Sequence, residues 1–230
     1  MLGLLALPIL TGVGIGTVTG VAQGVSHQQK MNAEAANEDR MVKFHLDVEC
    51  ETASSKRGEV DGTMVVLRDG KLYLDHPDPV TRQPKSGAHP LTAFYFTYPD
   101  DEREATRGLV STISEDPPML NWIYIDADTH EARYGNRTAS RAHHVGPYDW
   151  SDDESALTLE GWEGWVALEE RAGEWAVYFD RKDDGLAGLR GGRRTLEMAL
   201  RRRVLEDTKA AAGVKSQGNI APYFKATREI

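Results

Sequence analysis

Hydrophobic residues follow two patterns along this chain: an uncharged run at the start and short alternating segments through the middle. Val42, Phe44, Leu46, Val48 and Cys50 alternate with Lys43, His45, Asp47 and Glu49. That is the period of a strand with one face in a core and the other in water. On this reading Cys50 is a buried, inert thiol and His45 a solvated strand residue. Arg68-Asp69-Gly70-Lys71 sets Asp-Gly between two apolar runs, the pair preferred where both turn residues need positive φ. The hairpin predicted over residues 64–75 places Val65 opposite Leu74 and Leu67 opposite Leu72. A strand over 91–98 carries Phe94, Phe96 and Tyr98 on one face. Residues 121–126 and 130–134 read as a second hairpin across Ala127-Asp128-Thr129. Residues 165–171 and 174–180 read as a third, closed by Ala172-Gly173. In it Val166 and Leu168 share a face, as do Trp175, Val177 and Phe179. About eight or nine short strands separated by turn signals predict a mainly β (α+β) fold, a single barrel or sandwich-like domain. Residues 101–113 are expected to be a short helix inside it, and no internal repeat is visible.

Helices are expected on both flanks. Residues 190–213 lie between Gly191-Gly192 and Gly213, which fits the position after a helix C-terminus. Leu196, Ala199, Leu200 and Val204 give an apolar stripe. Glu197–Arg201, Arg202–Glu206 and Arg203–Asp207 give i,i+4 ion pairs on a solvated basic face. A competing reading offers Arg201, Arg202 and Arg203 to the acidic body or to anionic lipid.

Residues 1–26 contain no charged side chain. As a helix, residues 2–25 span about 36 Å, enough for a hydrocarbon core of about 30 Å. Gly12, Gly16, Gly20 and Gly24 recur every fourth residue and would form a groove where another backbone approaches closely. The expectation is a glycine-zipper helix in a membrane or against a partner helix. A cleaved signal peptide, a helix packed on its own protein and a flexible arm compete with it. Basic residues follow the run and none precede it, which places the body in the cytoplasm, with a soluble or secreted protein as the alternative.

Charge divides the chain further. Residues 1–40 carry −1, residues 41–185 carry −14 and residues 186–230 carry +6, for a formal total of −9. The acidic balance argues against nucleic-acid binding. A single cysteine excludes an internal disulfide framework and any multi-cysteine zinc site. The organisation read from these features is an apolar segment over 1–26 and a polar helical linker over 27–41. An acidic β domain over 42–185 and a basic helix and tail over 186–230 follow.

Candidate chemistry is sparse. No nucleophile elbow, phosphate loop, zinc-protease or dinucleotide motif occurs, and neither a metal nor a cofactor is expected. His143 and His144 in a polar loop, with His76 and His89 from two proline-rich loops, are candidates for proton transfer. Trp150 and Trp162 are candidates to stack on a flat ligand. Two functions remain: a non-enzymatic, membrane-associated interaction module, or a small-molecule-binding β domain with isomerase-, cyclase- or hydrolase-type acid–base activity.

Overall fold

The computed structural model describes residues 42–115 and 118–205. The glycine-zipper segment, the linker over 27–41 and the tail beyond residue 205 lie outside the described residues. Among the described residues no helix is long and apolar enough to cross a membrane.

Among the described residues fourteen strands appear where about eight or nine were expected. They are β1 (Phe44–Glu49), β2 (Met64–Arg68), β3 (Lys71–Asp75), β4 (His89–Pro90), β5 (Thr92–Thr97), β6 (Arg107–Glu115) and β7 (Pro118–Ile125). They continue with β8 (Ala132–Gly135), β9 (Tyr148–Trp150), β10 (Leu157–Leu159), β11 (Trp165–Arg171), β12 (Glu174–Phe179), β13 (Thr195–Glu197) and β14 (Ala199–Val204). The order β3-β8-β7-β6-β5-β1-β2, with β2 paired back to β3, closes a seven-strand ring. β12, β11 and β13 extend from β3, β4 lies on β2 and β14 lies on β1, while β9 and β10 form a separate two-stranded ribbon. Closure removes the open edges that expose a sheet to aggregation.

The Asp69-Gly70 turn forms as its chemistry requires, with both residues at positive φ, 51° and 77°. Val65 opposes Leu74 and Leu67 opposes Leu72. Val65, Leu67 and Leu72 are buried, and Leu74 packs partly buried against the same core. Phe44, Leu46, Val48 and Cys50 enter that core together with Trp165, Trp175, Val177 and Phe179. Two further apolar layers lie outside it. Phe94, Tyr98, Val110, Leu120, Trp122 and Tyr124 form one, and Val166, Leu168, Ala176 and Tyr178 form the other. The sheet therefore buries both faces along β5–β7 and β11–β12.

Both helical expectations inside the described residues fail. Residues 107–115 form strand β6, in which Leu109 belongs to the central core and Val110 to the outer layer. Over the expected basic helix, residues 195–197 and 199–204 form strands β13 and β14. Leu196, Met198 and Leu200 are all buried in the core, the period of two that a strand imposes. β14 pairs with β1 in register from Phe44↔Val204 to Glu49↔Ala199. The backbone enters at Phe44 and leaves at Val204 side by side, and the Leu205 N–H donates to the Lys43 carbonyl at 3.0 Å.

Candidate functional site

The four candidate histidines occupy separate environments. His76 is exposed in the loop after β3. His89 is half-buried on β4, with Nε2 at 2.9 Å from the Thr112 carbonyl oxygen. His143 stacks on Tyr124 at 5.0 Å between ring centres, and its Nδ1 accepts from the Ala127 N–H at 3.1 Å. Its Nε2 stands 3.9 Å from Asp126. Burial would raise the Asp126 carboxyl, but the N–H groups of Thr129 and Asp128 hold it below the usual carboxylate range. His144 is tied through its backbone to Ile125, and its Nδ1 stands 3.8 Å from Glu160. Burial and then the nearby Arg181 push the His144 imidazole down. Both imidazole–carboxylate gaps exceed hydrogen-bond length.

His45 corrects the expectation of a solvated residue. It is buried, its Nδ1 lies 2.7 Å from the Leu91 carbonyl oxygen, and burial lowers its pKa. Cys50 is buried as a free thiol. Among the described residues no trio of His, Cys, Asp or Glu is placed to hold a metal ion.

The two candidate tryptophans have different surroundings. Trp162 follows the Glu160-Gly161 turn and packs edge-on against Phe179 at 5.4 Å. Gly164 is required beside it, because a Cβ there would lie 2.5 Å from the indole. Trp150, at the end of β9, meets Phe44 at 4.7 Å and Tyr95 at 5.1 Å, both edge-on. The Arg202 guanidinium lies over this group, 4.7 Å from the Trp150 ring centre and 5.9 Å from Phe44. Distances of this order give cation–π attraction.

Strand geometry explains this arrangement. Residues directly opposite each other across β1 and β14 share a face, so Arg202 shares the inward face with Leu46. Arg201 and Arg203 emerge on the outward face, and each finds an acid of β1. Arg201 Nε donates to Glu49 at 2.6 Å and Arg203 Nε to Asp47 at 2.9 Å. Arg82 also reaches Asp47, at 3.0 Å. Among the described residues Arg202 makes no ion pair, and its Nε is buried without a hydrogen-bond partner.

A second polar cluster lies on the outer face beneath Tyr73 and Tyr178. Lys71, with 9% of its side chain exposed, bridges Glu131 at 2.9 Å and Glu170 at closer range. Lys71 also donates to the Tyr178 hydroxyl at 3.1 Å, and that hydroxyl donates to Glu170 at 2.7 Å. Burial and these acids raise the Tyr178 phenol, while Lys71 and Tyr178 overcome burial to keep Glu170 low. Sequence reasoning did not single out Lys71, and it offered Arg202 only together with Arg201 and Arg203, without separating the inward-facing residue from its neighbours. The alternation Leu196, Met198, Leu200 pointed to Arg202, since residue 202 is the next inward position. The Lys71 partners come from strands far apart in sequence and left no local signal.

The class defined by these observations is a closed antiparallel barrel with added strands and a filled interior. The family model of the fungal beta-trefoil domain matches residues 20–206. The chain belongs to that family. No curated protein and no solved structure matches it.

Proposed function

We propose that this protein is a non-enzymatic, membrane-associated interaction module. Its contact surface on this reading is the pair formed by Arg202 and Trp150, which rests on the buried Phe44. The observation that carries the reading is an arginine held on aromatic rings without an acidic partner among the described residues, while Arg201 and Arg203 beside it are both paired. A charge left in that state favours an external partner over an internal role. The dispersal of His76, His89, His143 and His144 also supports binding over acid–base chemistry. The alternative, a small-molecule-binding domain with acid–base activity, retains only the approaches of His143 to Asp126 and His144 to Glu160.

Membrane association rests on the uncharged run over residues 1–26 and its four spaced glycines. The test is fractionation of the full-length protein. The expected result is pelleting with membranes and resistance to carbonate extraction. Gly16→Leu with Gly20→Leu should keep the protein in the membrane and weaken its self-association. Full-length protein that stays in the soluble fraction overturns the membrane part.

A further inference from the structure

Three consecutive arginines on β14 differ in one respect. Arg201 and Arg203 face outward onto Glu49 and Asp47, whereas Arg202 faces inward onto rings alone. The Arg202 Nε is fully buried and makes no hydrogen bond. Among the described residues its Nη groups make none either, and they are not buried with Nε. The guanidinium is therefore fixed at its stem, with its carbon over the Trp150 ring and its far edge not buried. An arginine in a half-buried setting normally has a carboxylate, a phosphate or backbone carbonyls on that edge. Aromatic stacking orients the plane and leaves both in-plane Nη donors available.

We propose that Arg202 binds a carboxylate, edge-on and bidentate, with the Trp150 ring as one wall of the site. The proposal rests on the reading of this surface as a contact surface and supplies the chemistry of its ligand. Among the described residues, the acids of the paired strand β1 and of the loop held on β14 are already engaged. Glu49 and Asp47 serve Arg201 and Arg203 on the opposite face of the strand pair. Asp153, in the loop between β9 and β10, accepts from the Ser151 and Ser155 hydroxyls, which lower its pKa to about 2. Ser155 in turn accepts from Arg201 through its hydroxyl and from the Arg202 N–H through its carbonyl. These contacts fix the loop beside β14. The net charge of −9 repels anions at long range, so the site depends on short-range geometry.

The test is a low-salt titration of the full-length protein, followed by the NMR signals of the Arg202 Nε–H and the Trp150 indole N–H. Arg202→Lys and Trp150→Phe assign those signals. Two probes separate the sources of the carboxylate: acetate, and a short capped peptide containing one Glu, with its Gln counterpart as control. The expected result is a saturable shift of both signals that the Gln peptide does not produce. Affinity should fall at least about tenfold in Arg202→Met, and Arg201→Gln and Arg203→Gln should keep it. Saturation by both probes assigns a small carboxylate as sufficient, and saturation by the peptide alone assigns an acidic polypeptide. Arg202→Lys keeps the charge but not the planar fork, so it should also bind more weakly, which serves if Arg202→Met fails to fold. Absence of saturation with either probe, or equal affinity in Arg202→Met and the parent, overturns the proposal. Membrane pelleting can fail while this titration succeeds, so the two readings fall separately.

Discussion

Replacing Lys71 with methionine tests whether the outer polar cluster contributes to stability as its geometry indicates. The methionine keeps most of the aliphatic stem and removes the ammonium that lies between Glu131 and Glu170. Those acids have 20% and 17% of their side chains exposed, too little for water to replace the lysine. Removing one partner of a buried pair costs about 3–5 kcal/mol, and their remaining solvent contact places the expectation near 3 kcal/mol. The pH dependence has a definite sign. Glu170 is held below the usual carboxylate range, with burial opposing the shift and Lys71 and Tyr178 producing it. In the parent this stabilisation is fully present above the unfolded value of about 4.3 and is lost as pH falls through the lower folded value. In Lys71→Met Glu170 loses its cation, so its folded value rises above the unfolded one, whereas Glu131 keeps Arg133 at 3.4 Å. The variant is then penalised at neutral pH and recovers relative to the parent as pH falls through that raised value. Urea unfolding followed by tryptophan fluorescence, with an unchanged m-value, measures the gap. Adding Glu170→Gln to Lys71→Met should restore part of the stability at neutral pH. A neutral-pH gap below about 1 kcal/mol refutes the reasoning, as does a gap that stays constant or widens on acidification.

Two further substitutions probe the packing. Trp165→Phe removes the indole N–H that donates to the buried Leu157 carbonyl at 2.7 Å. The orphaned carbonyl should cost about 1–3 kcal/mol in chemical denaturation, and no loss would show that the β9–β10 ribbon is not anchored there. Gly108→Ala places a Cβ 2.7 Å from the Trp122 ring and 3.1 Å from the Phe96 carbonyl oxygen. The expected loss is about 1–3 kcal/mol, partly recovered with Trp122→Phe, and a neutral effect would contradict the outer aromatic layer.

Much of the barrel was legible where turn chemistry and alternation agreed. Asp69-Gly70 fixed a register that the structure reproduces pair by pair. Ala172-Gly173 likewise joins β11 to β12. What alternation could not reveal was which segments bury both faces. Alternation puts Phe94 and Phe96 on one face with Tyr98, and that face belongs to an outer layer while Ala93 and Tyr95 face the centre. Residues 101–113 misled because their polar first half resembles a helix start, whereas Leu109-Val110 needs two apolar surroundings at once. Only a strand between two layers gives adjacent residues opposite faces.

The largest discrepancy, the expected basic helix, also decides what the site can do. Its i,i+4 charge pairs were genuine sequence features, but Arg201 and Arg203 pair instead with acids of another strand. On a helix, successive side chains turn by about 100° and three consecutive arginines fan over one solvated side. On β14 they alternate, and β1 brings Glu49 and Asp47 to the two outward ones. The opposed signs of the tail and the body, +6 and −14, thus express themselves partly as cross-strand pairing. Among the described residues Arg202 is left without an acidic partner because strand alternation turns it toward Leu46, where the neighbours are Phe44 and Trp150. Trp150 was singled out from the sequence for the face of its ring; the structure adds the cation that the ring holds. The chemistry of this surface therefore follows from the change of secondary structure, since a helix would place Arg202 beside Glu206 and remove its need for a partner.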